Sequence, residues 1–365
     1  MEITAAVLSA PRSPVALESL HLEAPRAGEV LLRYTASGVC HSDLHVVDGD
    51  WARPMPVALG HEGAGVVEAV GDGVTSVRPG DHVVLTWAYP CGTCALCLRG
   101  RTWLCESSSA GRHVLADGTS RLRRASGEPV YQYLAIATMS TAAVVPAAAC
   151  VPVPAAVPPE VAALIGCGVA TGYGAVVNTA AVRPGEVVCV VGCGGVGLSA
   201  VMAARLAGAA RVIAVDASRP SLDLAAAVGA TDVVSAEGDW PAAVRRLAPG
   251  GVDTALDCIG VPAVVAGLFA TLVPGGTVVL VGMSAQGVTV PLDGYRVPDR
   301  GYRVLGSSYG SCVAAVDFPA IAAGFLGGRL PLDLLVTRRI GLDGVDAAFE
   351  SMRRREGGRT VVVPG

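Results

Sequence analysis

The sequence predicts an α/β chain in which a β-rich first part is followed by a doubly wound parallel sheet. Three observations predict it. Short apolar runs punctuated by turn residues fill the first third, which is the pattern of strands. From about residue 186, apolar runs alternate with Ala-rich helical stretches, the pattern of a parallel sheet with crossover helices. Between the two, residues 146–159 are rich in Pro and Ala and read as a connection between domains.

Taken in order, 5–8 and 29–34 are the first strand candidates, and 63–71 and 80–85 continue them. Glycines at close spacing punctuate these runs, as a small barrel requires. Cys91, Cys94, Cys97 and Cys105 follow. Four thiolates in one short loop fit a closed Cys₄ zinc site, which has no room for substrate and is therefore structural. Residues 107–133 read as a loop whose arginines, Arg121, Arg123 and Arg124, form a solvated face in preference to an anion site. Strands are expected at 186–191, 211–216, 232–234, 252–257, 277–281 and 302–306. Helices are expected after the first two of these, to about 208 and 229. From about Tyr309, a helix at 344–352 and a last strand at 360–363 return to the first domain, which makes it discontinuous.

Composition narrows the function classes. At 365 residues, two domains are expected. Hydrophobic residues make up 52% and charged ones 16%, enough for a sizeable core and unlike a disordered chain. A net charge of -4 gives no basic field for nucleic acid or an acidic membrane, so no partner of either kind is expected. No run reads as long and apolar enough to span a bilayer, and the N-terminus lacks a secretory pattern. Eleven cysteines in such a chain argue for metal binding over disulfides and for a reducing, cytoplasmic setting.

Gly192-Cys193-Gly194-Gly195-Val196-Gly197 stands after an expected strand and opens an expected helix. Gly192, Gly194, Gly195 and Gly197 let the backbone turn and approach a pyrophosphate seated on the helix N-terminus. Asp216 closes the next strand, where its carboxylate accepts from ribose hydroxyls and repels a 2′-phosphate. NAD is thus favoured over NADP, with Arg219 leaving a small opening for the latter. The bland alternative is a Gly turn plus a surface Asp.

Cys40, His61 and Cys167 offer two thiolates and an imidazole. Three such ligands leave a tetrahedral zinc one open position, which is where chemistry happens. They lie far apart in sequence, and each alone could be a core residue. Glu62 could be a strand-end charge and Asp43 a helix cap. These readings fail jointly, because the same chain carries a nucleotide fingerprint and a thiolate cage.

The segments around Cys40, around His61-Glu62, the 91–105 loop, and Gly166-Cys167-Gly168 through Thr171 together resemble the zinc-dependent alcohol dehydrogenases of the medium-chain dehydrogenase/reductase family, in particular its long-loop, class III-like branch. The resemblance covers essentially the whole chain. It implies a GroES-like catalytic domain (1–168 and 309–365) and a Rossmann NAD-binding domain (169–308). It makes Cys40, His61 and Cys167 ligands of the catalytic zinc, and Glu62 a carboxylate that approaches the metal during ligand exchange. Asp43 would orient the ligand imidazole. Ser42 and His45 would form the proton relay, Thr171 and Val196 would pack on the nicotinamide, and Arg359 would reach the pyrophosphate. His41 stands where some members have an arginine on the pyrophosphate, so the cofactor is expected to be held more loosely.

The implied reaction interconverts a primary alcohol and its aldehyde by hydride transfer to or from NAD(H), with two zinc ions per chain. Trp51, Trp87 and Met283 fall at or near substrate-channel positions and suggest an aromatic or bulky apolar alcohol. Ordinary barrel-edge packing is the alternative for the two indoles. Asp48, Asp50 and the segment from Asp117 to Arg121 resemble the glutathione-dependent formaldehyde dehydrogenase branch. Oxidation of an S-hydroxymethyl thiol adduct is therefore the first alternative function, although Ser109 stands near where that branch's substrate-binding arginine is expected, with Arg112 close by. A non-catalytic zinc and nucleotide scaffold is the second. A homodimer is expected, paired along the outer sheet edge near 277–281 and 302–305.

Overall fold

The computed structural model describes residues 1–107, 113–290, 292–354 and 358–365. Ser109 and Arg112 lie outside the described residues. In chain order the first ten strands are β1 (Glu2–Leu8), β2 (Ala16–Leu22), β3 (Glu29–Gly38), β4 (Val57–Ala58), β5 (Glu62–Val70), β6 (His82–Leu85), β7 (Leu122–Arg123), β8 (Pro129–Gln132), β9 (Ala142–Pro146) and β10 (Cys150–Pro152). Six more follow: β11 (Val187–Val191), β12 (Arg211–Asp216), β13 (Asp232–Ser235), β14 (Val252–Asp257), β15 (Leu272–Leu280) and β16 (Arg303–Gly306). The last two are β17 (Val336–Ile340) and β18 (Arg359–Val362).

The chain divides into two units. The first comprises Met1–Cys167, Val313–Gly327 and Val336–Gly365; the second comprises Gly168–Cys312 and Gly328–Leu335. In the first, β1-β2-β7-β8-β4 close a barrel, and a second sheet runs β10-β6-β5-β3-β18-β17, with β9 also on β3. β3 is the hinge of the unit's function. β5 and β18 both pair with its C-terminal end, so that Gly38 faces Glu62 on one side and Val361 on the other. The helix Pro159–Leu164 packs across β3 and β5. In the second unit the sheet order β13-β12-β11-β14-β15-β16 is wholly parallel, which requires covered faces and explains the near-continuous apolar strands.

Four local expectations are corrected. The Pro/Ala stretch 146–159 is no linker. Cys150–Pro152 pairs antiparallel with β6, and Cys150 and Val151 are buried. Pro152, at the strand's end, is compatible with that role. The stretch 107–133 contains β7 and β8, both barrel strands. Arg121 within it is fully buried instead of solvated: its guanidinium pairs with Glu29 at 2.5 Å and Asp117 at 2.7 Å. Residues 309–312 and Gly328–Leu335 fall in the second unit, where Leu330, Leu332 and Leu335 find burial. Finally, one helical stretch, Pro159–Ala180, is long and apolar enough to cross a membrane by length and composition. However, 78% of its apolar window is buried within the protein, so its apolarity serves the core.

Candidate active site

β3 delivers Cys40, two residues beyond its end, in extended backbone at the N-cap of the helix His41–Val47. β5 delivers His61 and Glu62 at its start. The helical stretch beginning at Pro159 delivers Cys167 inside a π-turn, Ile165–Val169, a local widening that often marks functional positions. Glycines make the approach possible. A Cβ on Gly38 would sit 2.0 Å from Glu62 Oε2, and one on Gly166 2.7 Å from the Leu85 carbonyl oxygen. The ligand atoms of Cys40, His61, Glu62 and Cys167 all lie within 4.8 Å of one another, and all four residues are buried.

The donor set suits a zinc ion. Nδ1 of His61 lies 3.1 Å from Asp43 Oδ2, and the other oxygen of Asp43 accepts from the Gly60 amide at 3.1 Å. The carboxylate thus bridges a helix and the turn before β5, instead of capping the helix. Nε2 of His61 is buried with no hydrogen-bond partner. A buried, orphaned imidazole nitrogen among two sulfurs is costly unless something takes its lone pair, and a metal does so. Asp43 and the Cys40 sulfur outweigh burial and push the imidazole above its usual range. The Cys167 thiol hydrogen-bonds to Cys40 and holds it well below the usual thiol range, while Cys167 is itself pushed up. A bound divalent cation would ionise both.

Glu62 is fully buried, and burial raises its pKa to about 7 against the pull of Arg359, whose guanidinium donates to it. Arg359 opens β18 and is 8% exposed. In this structure its guanidinium braces Glu62. The reason is register: β18 lies beside β3, next to the strand end that Glu62 also borders.

The remaining expected residues of this unit fall around the helix His41–Val47. His41 is exposed at its first position. Ser42 accepts at its carbonyl from the Tyr133 hydroxyl, 3.3 Å away. His45 Nδ1 lies 2.8 Å from Asp50 Oδ2, and its ring stacks on Trp51 with centroids 4.7 Å apart. Trp87 is half-buried against the core and neighbours Cys167. Sequence reasoning missed Tyr133, whose ring meets His61 edge-on at 5.6 Å and carries His113 stacked on its face at the same distance. No spacing pattern signals such a contact.

In the 91–105 segment, hereafter the lobe, Cys91, Cys94, Cys97 and Cys105 also gather within 4.8 Å. The Cys91 and Cys97 sulfurs are 4.0 Å apart, close to the edge of about 3.8 Å for a tetrahedron with Zn–S near 2.3 Å. Amides of Thr93 and Cys94 donate to Cys91 Sγ, and the Thr93 hydroxyl and these amides bring that thiol down to about 5.

In the second unit, Gly192 follows β11 with φ +94°, and Gly194 caps the helix Gly195–Leu206. A Cβ on Gly197 would lie 1.7 Å from the Gly192 carbonyl oxygen, whereas one on Gly194 would meet open space. The result is a turn that packs tightly behind and leaves its face free for a phosphate group. Asp216 Oδ2 accepts from the Cys193 amide at 2.7 Å and Oδ1 from the Ser218 amide at 2.7 Å, so the carboxylate stands at the glycine turn. Arg219 pairs with Asp223 at 2.9 Å. Thr171 and Val196 lie on touching helices, because a Cβ on Gly172 would fall 2.1 Å from the Val196 carbonyl oxygen. Met283 is 66% exposed in this unit.

Comparison with known proteins agrees with this geometry. Residues 26–155 match the alcohol dehydrogenase GroES-like domain, and 195–326 match the zinc-binding dehydrogenase domain. An S-(hydroxymethyl)glutathione dehydrogenase of Escherichia coli O139:H28 is 36% identical over 371 residues, covering 99% of this chain and 100% of that protein. The crystal structure of an alcohol dehydrogenase zinc-binding domain protein from Burkholderia ambifaria superposes with a TM-score of 0.96 at 38% identity, over 100% of this chain and 99% of that one. Benzyl alcohol dehydrogenase from Acinetobacter calcoaceticus does so at 0.95 and 32%, over the whole of both chains. Two-domain organisation, donor set and whole-length similarity together place the chain among the zinc-dependent alcohol dehydrogenases of the medium-chain dehydrogenase/reductase family, oxidoreductases that work with zinc and NAD(H).

Proposed function

We propose that the chain interconverts a primary alcohol, aromatic or bulky and apolar, with its aldehyde, using NAD(H). The observation that carries this reading is the buried group of Cys40, His61, Glu62 and Cys167 with its partnerless Nε2. Cys40, His61 and Cys167 would hold the catalytic zinc, and the four lobe cysteines a structural one. When bound, zinc polarises the alcohol oxygen and NAD(H) exchanges the hydride.

The chain's own residues do the rest. Asp43 keeps His61 turned with Nε2 toward the sulfurs. Glu62, braced by Arg359, offers a further carboxylate close by for ligand exchange. Ser42 accepts the alcohol proton and passes it toward His45, which is open enough to solvent to release it. Gly192, Gly194, Gly195 and Gly197 seat the pyrophosphate, Asp216 the ribose, and Thr171 and Val196 the nicotinamide. Asp216 disfavours a 2′-phosphate, while Arg219, held only by an exposed pair with Asp223, leaves a small opening for one. Trp51, Trp87 and Met283 remain the substrate-side candidates, and the 32% identity to a benzyl alcohol dehydrogenase supports an aromatic substrate.

A second reading is oxidation of an S-hydroxymethyl thiol adduct, favoured by the 36% identical relative. The deciding experiment measures absorbance at the NADH band with benzyl, allylic and aliphatic alcohols, and separately with formaldehyde plus a low-molecular-weight thiol. Benzyl alcohol is expected to give the larger rise. A rise only with the thiol adduct would transfer the assignment to the second reading, and no rise with both zincs bound would favour the scaffold. We further propose a cytoplasmic homodimer paired along the edge strand β16, checked by sedimentation.

A further inference from the structure

The helix that begins at Cys40's side ends at Val47, and the chain then doubles back on it. Asp48 caps the helix, Gly49 turns at φ +79°, and the Trp51 amide donates to the His45 carbonyl at 3.2 Å. This return places two side chains on one imidazole. Asp50 Oδ2 sits 2.8 Å from His45 Nδ1, and the Trp51 ring lies against the His45 ring at 4.7 Å and 26°.

An exposed ion pair alone is worth little. Here the pair is joined by a ring stack and a backbone bond, so the imidazole is held in plane, in rotation and at one nitrogen. The other charges nearby are otherwise engaged. Arg53 lies 5.8 Å from the centre of the Trp51 ring and donates to the Ala52 carbonyl; Asp48 pairs with Arg353; Arg12 donates to the Asp48 carbonyl. The carboxylate facing His45 is therefore that of Asp50.

We infer that Asp50 is the positioning residue of the proton relay: it accepts a hydrogen bond from Nδ1–H of His45, so that Nε2 is the nitrogen that receives the proton, while Trp51 clamps the ring. This rests on the reading of His45 as the end of the relay. A neutral imidazole in water prefers its proton on Nε2, where it would block acceptance; a carboxylate at Nδ1 reverses that preference. The proton arriving at Nε2 makes an imidazolium whose Nδ1 proton stays on the Asp50 bond. Water then takes the Nε2 proton, and the neutral imidazole is restored with no net change. Solvent reaches the pair, since the side chains of His45 and Asp50 are 26% and 40% exposed.

Long-range ¹H–¹⁵N correlation spectra of the zinc-loaded protein at about pH 8 test this without turnover. His45→Gln identifies the signal. The wild type is expected to carry the His45 proton on Nδ1, Asp50→Ala to move it to Nε2, and Asp48→Ala to leave it in place. An Nε2 proton in the wild type overturns Asp50's part, as does an unchanged signal in Asp50→Ala. In stopped-flow measurement of proton release, Asp50→Ala is expected to be about tenfold slower, with no further loss when combined with His45→Gln. Additive losses overturn the coupling. A His45→Gln variant with full turnover overturns the relay reading itself, and the tautomer result shows which of the two has failed. Should Asp50→Ala not fold, the wild-type spectrum decides.

Discussion

Asp43 shows how one side chain sets the chemistry of another. Buried at the third position of its helix, it spends one oxygen on the Gly60 amide and the other on His61. Asp43→Asn keeps the size but removes the charge that makes the imidazole a strong donor, so zinc affinity at the catalytic site is expected to fall about 10–100-fold. Chelator competition measures this, and the lobe zinc should be unaffected. His41, proposed to face the cofactor's pyrophosphate, is the residue-scale counterpart. A side chain exposed at the head of the helix holds a phosphate more weakly as an imidazole than as a guanidinium. His41→Arg is expected to slow NADH dissociation, and turnover with it wherever release is limiting; stopped-flow displacement with unchanged rates would refute this. Arg359 carries a lesson of the same scale. An arginine near the C-terminus is visible in sequence, but its partner Glu62 lies 297 residues away, and only the pairing of β18 beside β3 selects it.

Among the elements, those with a strong local period were legible. The six parallel strands and the glycine turn follow from apolar runs and from one segment whose backbone must bend and approach. The thiolate lobe was legible because its four donors are close in sequence. What escaped was decided by tertiary contact. β7 is two residues long and looked like loop, and Arg121 beside it looked like surface until Glu29, 92 residues distant, closed over it. His113 escaped likewise. His113 is 2% exposed, accepts from the Leu134 amide at Nδ1, and stacks on Tyr133. Burial, with a smaller push from Arg53, lowers its pKa from 6.5 to about 4. A histidine kept neutral in the fold contributes its full stability above about pH 6.5, and loses it as pH falls toward 4, because the unfolded chain binds the proton first. Glu62, raised to about 7, gains stability over the same fall in pH, so the test is the difference between proteins: denaturant titrations should show the wild type losing up to about 3 kcal/mol relative to His113→Gln across that window. Parallel profiles for the two proteins would contradict the assignment.

At the scale of the whole molecule, the three donors of the proposed catalytic site come from the end of β3, the start of β5 and a π-turn at the last residue of the first unit's main segment. This is why distance in sequence concealed their meeting, whereas the coincidence of motifs betrayed it. The same gathering leaves a chemical signature. None of the eleven cysteines is in a disulfide, and each is buried or half-buried. Burial pushes the thiols of Cys150 and Cys189 up to about 12, and burial with the Asp216 charge pushes that of Cys193 well up, which makes them poor nucleophiles. A disulfide-exchange dye added to the metal-loaded protein should therefore develop colour slowly. Chelation of the lobe ion should release a burst of four equivalents, and an immediate burst without chelator would speak against the lobe as an ion cage. The molecule thus carries its own gauge of metal occupancy, readable with a colorimeter before any substrate is known.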